Sequence, residues 1–235
     1  MRPKTATFGQ RKKIRYSNRH WKLLKEKRDV AKKIMSQLEK AGLPSIVYGS
    51  VARGDVKEKS DVDIFIPINV PSYKLDLIIE SWIERRVVQA TPNYAIKGEF
   101  VIDNGVTVSF PLVRMKDREL DFYKFGGCLN LEQLKNNERC AGVDKRLVLI
   151  NPTKEGHEEI PINEMSPKEV AKKLNVCVDI VLERIRVLER RRNVGRTGVF
   201  LLHQVPPYES FESTLKEIAK RKPAVRKLIE ERGKI

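Results

Sequence analysis

The chain has 235 residues, with 47 Lys and Arg against 31 Asp and Glu, a formal net charge of +16. Hydrophobic residues make up 40% of it, enough for a real core, so the composition excludes a disordered or low-complexity chain. No apolar run reaches transmembrane length, and Cys128, Cys140 and Cys177 form neither a CxxC pair nor a closed disulfide framework, so the reading is a cytoplasmic protein without a membrane partner.

Residues 1–19 read as a basic flexible arm. Arg2, Lys4, Arg11, Lys12, Lys13, Arg15 and Arg19 fall in it without one acid. Such a block either binds nucleic acid or is a solvated tail. A helix then spans about His20 to Ala41, with Trp21, Leu24, Arg28, Ala31, Met35 and Leu38 at three- and four-residue steps. Ser45 to Tyr48 is a short strand, followed by one turn of helix over Val51 to Arg53. A second strand runs from Asp61 to Ile68. The spacing predicts a helix from Ser72 to about Ala90. Asn104-Gly105 between two alternating runs predicts a hairpin. Residues 20–150 thus read as a core with an extension, built on a mixed sheet with helices, and 151–164 as a polar linker.

The tail carries Ser166-Pro167-Lys168-Glu169, a capping box with Pro at the first helical position. A second helix follows from about Val178 to Arg191. Gly195-Arg196-Thr197-Gly198 then joins two extended stretches, and a final helix covers about Phe211 to Arg232. Residues 165–235 therefore read as a winged-helix-like domain. The fold class is α/β (α+β): a mixed sheet with helices, plus that domain.

The chemistry concentrates between Gly49 and Ile66. Asp61 and Asp63 are two apart on a strand, so both carboxylates point to one face. Two acids on one face repel unless a cation neutralises them. Mg²⁺, or Mn²⁺, fits because it takes oxygen ligands and leaves positions for phosphate oxygens. Gly49 lets the backbone approach a ligand, and Ser50 adds a hydroxyl donor at a helix start. Arg53, one turn on, adds positive charge. A phosphate cradle with a metal-binding pair suits in-line phosphoryl or nucleotidyl transfer.

These residues resemble the signature of the DNA-polymerase-β-like nucleotidyltransferase superfamily: Gly-Ser, a spacer, then Asp-hydrophobic-Asp. Gly49-Ser50-Val51-Ala52-Arg53-Gly54 is also similar to the minimal and archaeal CCA-adding members, and the tail looks like the helix-turn-helix of predicted archaeal nucleotidyltransferases. The resemblance covers about residues 20–115. It implies that Gly49 and Ser50 hold the triphosphate of an NTP, that Asp61 and Asp63 are the catalytic metal ligands, and that an NMP is moved to an acceptor. Members of this superfamily have a third carboxylate on a later strand. Here Ser109 stands at that place. With Asn104-Gly105 as the turn, Phe100 should pair with Ser109, which puts Glu99 on the opposite face.

The charge makes RNA, with tRNA included, or DNA the expected partner. Arg11, Lys12, Lys13 and Arg15 in the arm, and Arg190, Arg191, Arg192 and Arg196 near the wing, are the candidate contacts. A protein acceptor also fits. The alternative class is a catalytically degenerate nucleotide sensor or nucleic-acid-binding regulator on the same fold, which Ser109 favours. His157, in the expected linker, reads as an exposed structural histidine or a substrate contact. Gly126-Gly127 reads as a plain turn or a close approach to a ligand.

Overall fold

The structure, a computed structural model, describes residues 10–103, 105–195 and 198–233. The chain divides into two compact units. The first holds the residues up to Lys33, Val47–Val62 and Asp117–Thr197; the second holds Ile34–Ile46, Asp63–Lys116 and the chain from Gly198 onward. One helix and two strands therefore contribute residues to both.

The elements in chain order begin with β1 (Lys12–Arg15) and α1 (Asn18–Lys40). β2 (Ile46–Tyr48), α2 (Ser50–Arg53), β3 (Val62–Phe65) and α3 (Ser72–Ile78) follow. β4 (Glu84–Gln89), β5 (Lys97–Asp103) and β6 (Val106–Pro111) come next. Then come α4 (Asp117–Gly126), β7 (Cys128–Asn130), α5 (Leu131–Lys135), β8 (Gly142–Val143), β9 (Val148–Thr153) and β10 (Gly156–Pro161). The chain ends with α6 (Pro167–Leu174), α7 (Val178–Val194), β11 (Leu201–Gln204), α8 (Phe211–Arg221) and α9 (Pro223–Arg232). The architecture is mixed α+β, as expected.

In the first unit a four-stranded sheet has the order β1-β10-β9-β8. Its core joins Leu147, Leu149 and Ile160 to Val170, Leu174, Ile180 and Leu188 of α6 and α7. The capping box at the start of α6 is present: Ser166 accepts from the Glu169 amide, and the Glu169 side chain accepts from the Ser166 amide. Asn175 closes α6 in the left-handed conformation.

In the second unit β11, β4, β5 and β6 lie side by side, each antiparallel to the next. One face is apolar, because Val87, Phe100, Val108 and Phe110 alternate inward and are fully buried. Phe211 of α8 packs there, 5.1 Å from both the Phe100 and Phe110 ring centres. Gly98 makes room for it: a Cβ there would lie 2.5 Å from the Phe110 ring and 2.9 Å from Phe211.

Several sequence expectations are corrected. The helix expected over 72–90 stops at Ile78, and Glu84–Gln89 forms β4 instead. The reason is period-two burial: Arg85, Val87 and Gln89 turn inward while their neighbours are half-exposed. The linker expected over 151–164 is the β9–β10 hairpin. The arm is structured from Lys12 onward, since β1 pairs with β10 from Lys12↔Glu159 to Arg15↔Gly156. The tail expected as one domain is divided. Its residues up to Thr197 fall in the first unit, and β11 pairs with β4 in the second rather than with a strand of the tail. The final helix breaks at Lys222-Pro223, because proline supplies no amide to continue it and starts α9 instead. Asn104 and Arg196 lie outside the described residues.

Candidate functional site

The turn from β2 into α2 depends on glycine. Gly49 has φ 79° and ψ −144°, a conformation that side chains resist, although a Cβ there would meet nothing within 4 Å. The requirement is thus conformational, and the space above the turn is open. The Gly49 amide donates to Gly127 O at 2.8 Å. Gly54 closes α2 with φ 106°, and a Cβ on it would strike Arg139 Cδ at 2.7 Å. Ser50, the first residue of α2, is half-buried.

This single turn of helix is too short to hold itself. Side chains of the first unit brace it. Arg28, buried in the apolar stripe of α1, donates from Nε to Val51 O at 3.1 Å and from Nη2 to Ala52 O at 3.0 Å. His20 Nε2 lies 2.8 Å from Gly54 O. Burial, with the neighbouring Arg139 cation second, pushes the Arg28 pKa down to about 10. The sequence reading placed Arg28 in the helix stripe without giving it a role. A cation at a core position of an amphipathic helix was the signal for one.

Arg53 has different partners from those expected of a phosphate contact. It is buried, with Nε 2.9 Å and Nη2 3.0 Å from the two carboxylate oxygens of Asp55. Its Nη1 donates to Gly126 O at 2.6 Å. The charge is therefore neutralised inside the protein, and Arg53 fixes the loop. Gly126-Gly127 is the other side of that contact: a Cβ on Gly127, at φ 81°, would lie 2.8 Å from Arg53 Cγ.

Asp61 is exposed immediately before β3, and Asp63 is half-buried within it. Val62 and Ile64 alternate with them and are buried. Asp61 lies just ahead of the strand, and within β3 the period-two alternation sets the half-buried Asp63 between the buried Val62 and Ile64. Among the described residues, no group of three or more His, Cys, Asp and Glu side chains is placed to hold a metal. The Asp61/Asp63 pair is a donor set of hard oxygens that fits Mg²⁺ or Mn²⁺ when water and phosphate oxygens complete the shell. It does not make a closed site by itself.

The neighbourhood of Ser109 corrects the register read from sequence. Glu99, not Phe100, lies opposite Ser109, and Phe100 lies opposite Val108. A bulge between Val101 and Asp103 inserts one residue and turns every position beyond it to the other face. Glu99 and Ser109 therefore share a face. Ser109 is buried, and its hydroxyl donates to Ile64 O of β3 at 3.3 Å. Glu99 accepts from Arg86 Nε at 2.9 Å, with Lys97 Nζ at 4.0 Å. The carboxylate nearest to Ser109 in register is thus held by cations.

Of the four arm cations expected as contacts, three face acids. Arg11 is 3.2 Å from Glu164, Lys12 is 3.5 Å from Glu159, and Arg15 is 3.1 Å from Glu155. Lys13 is exposed on β1. Arg190, Arg191 and Arg192 lie at the end of α7, with Arg190 and Arg192 exposed and Arg191 half-buried. His157 is buried rather than exposed, on β10, with Nδ1 2.7 Å from the Tyr16 hydroxyl. Burial lowers its pKa.

Residues 28–129 match the family model of a nucleotidyltransferase domain. The matched stretch contains α2, β3 and both aspartates. No curated protein and no solved structure gives a significant match.

Proposed function

We propose, from the match of residues 28–129 to the nucleotidyltransferase domain model and the resemblance to the polymerase-β-like superfamily, that the protein moves an NMP from an NTP to an RNA acceptor. The observation that carries this reading is the open glycine turn at Gly49-Ser50, held rigid by Arg28 and Arg53, in the same family stretch as the aspartate alternation of β3. Gly49 offers an uncrowded backbone, and Ser50 offers a hydroxyl, to a triphosphate.

Asp61 and Asp63 would hold the divalent ion, which supplies charge neutralisation at the phosphates when bound. Asp61, exposed and ahead of the strand, is the more accessible ligand. Asp63, half-buried, is the better fixed one. Arg53 keeps the turn in shape while its own charge is cancelled by Asp55, so binding energy for the triphosphate has to come from Ser50, backbone amides and the ion. RNA is the acceptor class that suits a net charge of +16, with exposed Lys13 and the basic end of α7 as contacts.

A second reading is favoured by one observation. The Ser109 hydroxyl is buried on a backbone carbonyl, and by the resemblance Ser109 stands at the position of the third carboxylate. A chain that binds NTP without transferring it would look like this. Incubation with each α-labelled NTP, Mg²⁺ or Mn²⁺ and total cellular RNA separates the two. Label in RNA that disappears in a folded Asp61→Asn/Asp63→Asn double variant supports transfer. NTP binding without labelled product supports the sensor. Unchanged Mn²⁺-dependent NTP affinity in the folded double variant overturns both.

A further inference from the structure

On the first unit, a cavity of about 350 Å³ is lined by Trp21, Leu24, Lys25, Arg28, Lys32, Asn137 and Arg139. Four of the seven side chains are cations and none is an acid. Leu24 and Arg28 are buried, and Trp21 and Arg139 are half-buried, so the site has depth. The cations are under-neutralised. Arg28 donates to the carbonyls of Val51 and Ala52. Arg139 donates to the carbonyls of Gly156 and Thr153, and its guanidinium lies 4.9 Å from the Trp21 ring centre. Lys25 and Lys32 share one carboxylate, Asp29, at 2.7 and 3.4 Å. Lys25 also feels Glu26, so among the described residues the four positive charges are answered only by acids that lie outside the lining.

We propose that this cavity binds a phosphate group, carried by a free nucleotide or by a nucleic-acid strand. A multivalent oxyanion satisfies the arrangement in a way a neutral ligand does not. It cancels the charge that Arg28 and Arg139 impose on each other, and it takes the ammonium groups of Lys25 and Lys32 as mobile donors at the mouth. Neutralisation by solvent ions alone is poor at Arg28, because a buried guanidinium is weakly screened. The depressed pKa of Arg28, with the Arg139 cation as its second cause, reports the same positive field. Asn137, at φ 56°, is held at the rim in a left-handed turn. The site does not depend on nucleotidyl transfer. It shares one residue with the glycine turn, since Arg28 both lines it and braces α2.

The chain has two tryptophans, so Trp82→Phe leaves Trp21 as a reporter inside the cavity. Potassium phosphate titrated into that variant should change Trp21 emission saturably, whereas potassium chloride at matched ionic strength should not. Lys25→Gln/Lys32→Gln should raise the half-saturating phosphate concentration about tenfold or more, the loss expected for hydrogen bonds to charged groups. Line broadening of the phosphate ³¹P signal with the unsubstituted chain, against the same double variant, gives the result independently. A 5′-phosphorylated oligoribonucleotide that saturates at lower concentration than a nucleoside monophosphate identifies a strand as the source; the reverse order identifies a free nucleotide. Identical responses to phosphate and chloride, or a half-saturation unmoved by the lysine substitutions, overturn the proposal.

Discussion

Replacing Arg28 by methionine should separate the rigidity of the Gly49-Ser50 turn from the stability of the protein. Methionine keeps the length and the apolar stem within the α1 stripe. It removes two donors. Ala52 O retains the Cys140 amide at 3.5 Å, but Val51 O gives up the Arg28 Nε hydrogen bond of 3.1 Å. An orphaned buried carbonyl costs about 1–3 kcal/mol. Against this, the substitution relieves a buried cation. Its pKa is depressed to about 10, and a displacement of that size corresponds to about 3 kcal/mol. Because the folded value lies below the unfolded one, the penalty is fully present at neutral pH and fades only as the pH rises past about 10. The two terms nearly cancel. Urea unfolding at pH 7 should therefore shift by no more than about 2 kcal/mol in either direction. NTP affinity should fall by about tenfold or more, because α2 is a single turn deprived of its brace. Calorimetric titration with a non-hydrolysable NTP measures it. A folded Arg28→Met chain with unchanged NTP affinity would falsify the bracing argument, and an effect confined to stability would show that Arg28 serves the core alone.

Three further outcomes follow from individual side chains. Ser50→Ala should weaken NTP by about 1.5–3 kcal/mol, the worth of a hydrogen bond to a charged group, and leave the unphosphorylated nucleoside unaffected; equal weakening of both ligands would mean that Ser50 does not meet phosphate. Gly98→Ala should lower the thermal midpoint, since its Cβ would sit 2.5 Å from the Phe110 ring and overpacking costs about 1–3 kcal/mol; an unchanged midpoint would contradict the tight packing of Phe110 and Phe211. Lys13→Gln with Arg190→Gln should flatten the dependence of RNA affinity on salt, by about 0.7 in the log–log slope for each phosphate no longer neutralised; Arg11→Gln should change it less, because Glu164 already pairs with Arg11 at 3.2 Å.

The residue pattern by itself determined what is local. The helix stripe of α1, the capping box of α6, the glycine turn at Gly49 and the Asp61/Asp63 alternation are each fixed by neighbours within four positions along the chain. Period and cap chemistry need no tertiary context, so they could be read directly. Tertiary structure decided everything that depends on partners distant in sequence. One bulged residue between Val101 and Asp103 reversed the facing of Glu99. Pairing with β10 turned part of a basic arm into a strand, and β4 captured β11 from the expected wing. Arg53 reads as a free cation in the sequence and is a brace in the fold, because its Nη1 meets Gly126 O, far along the chain, only once the fold has formed. Charge counts sum along a chain, whereas the field at a site depends on which charges meet, and folding alone chooses those pairs.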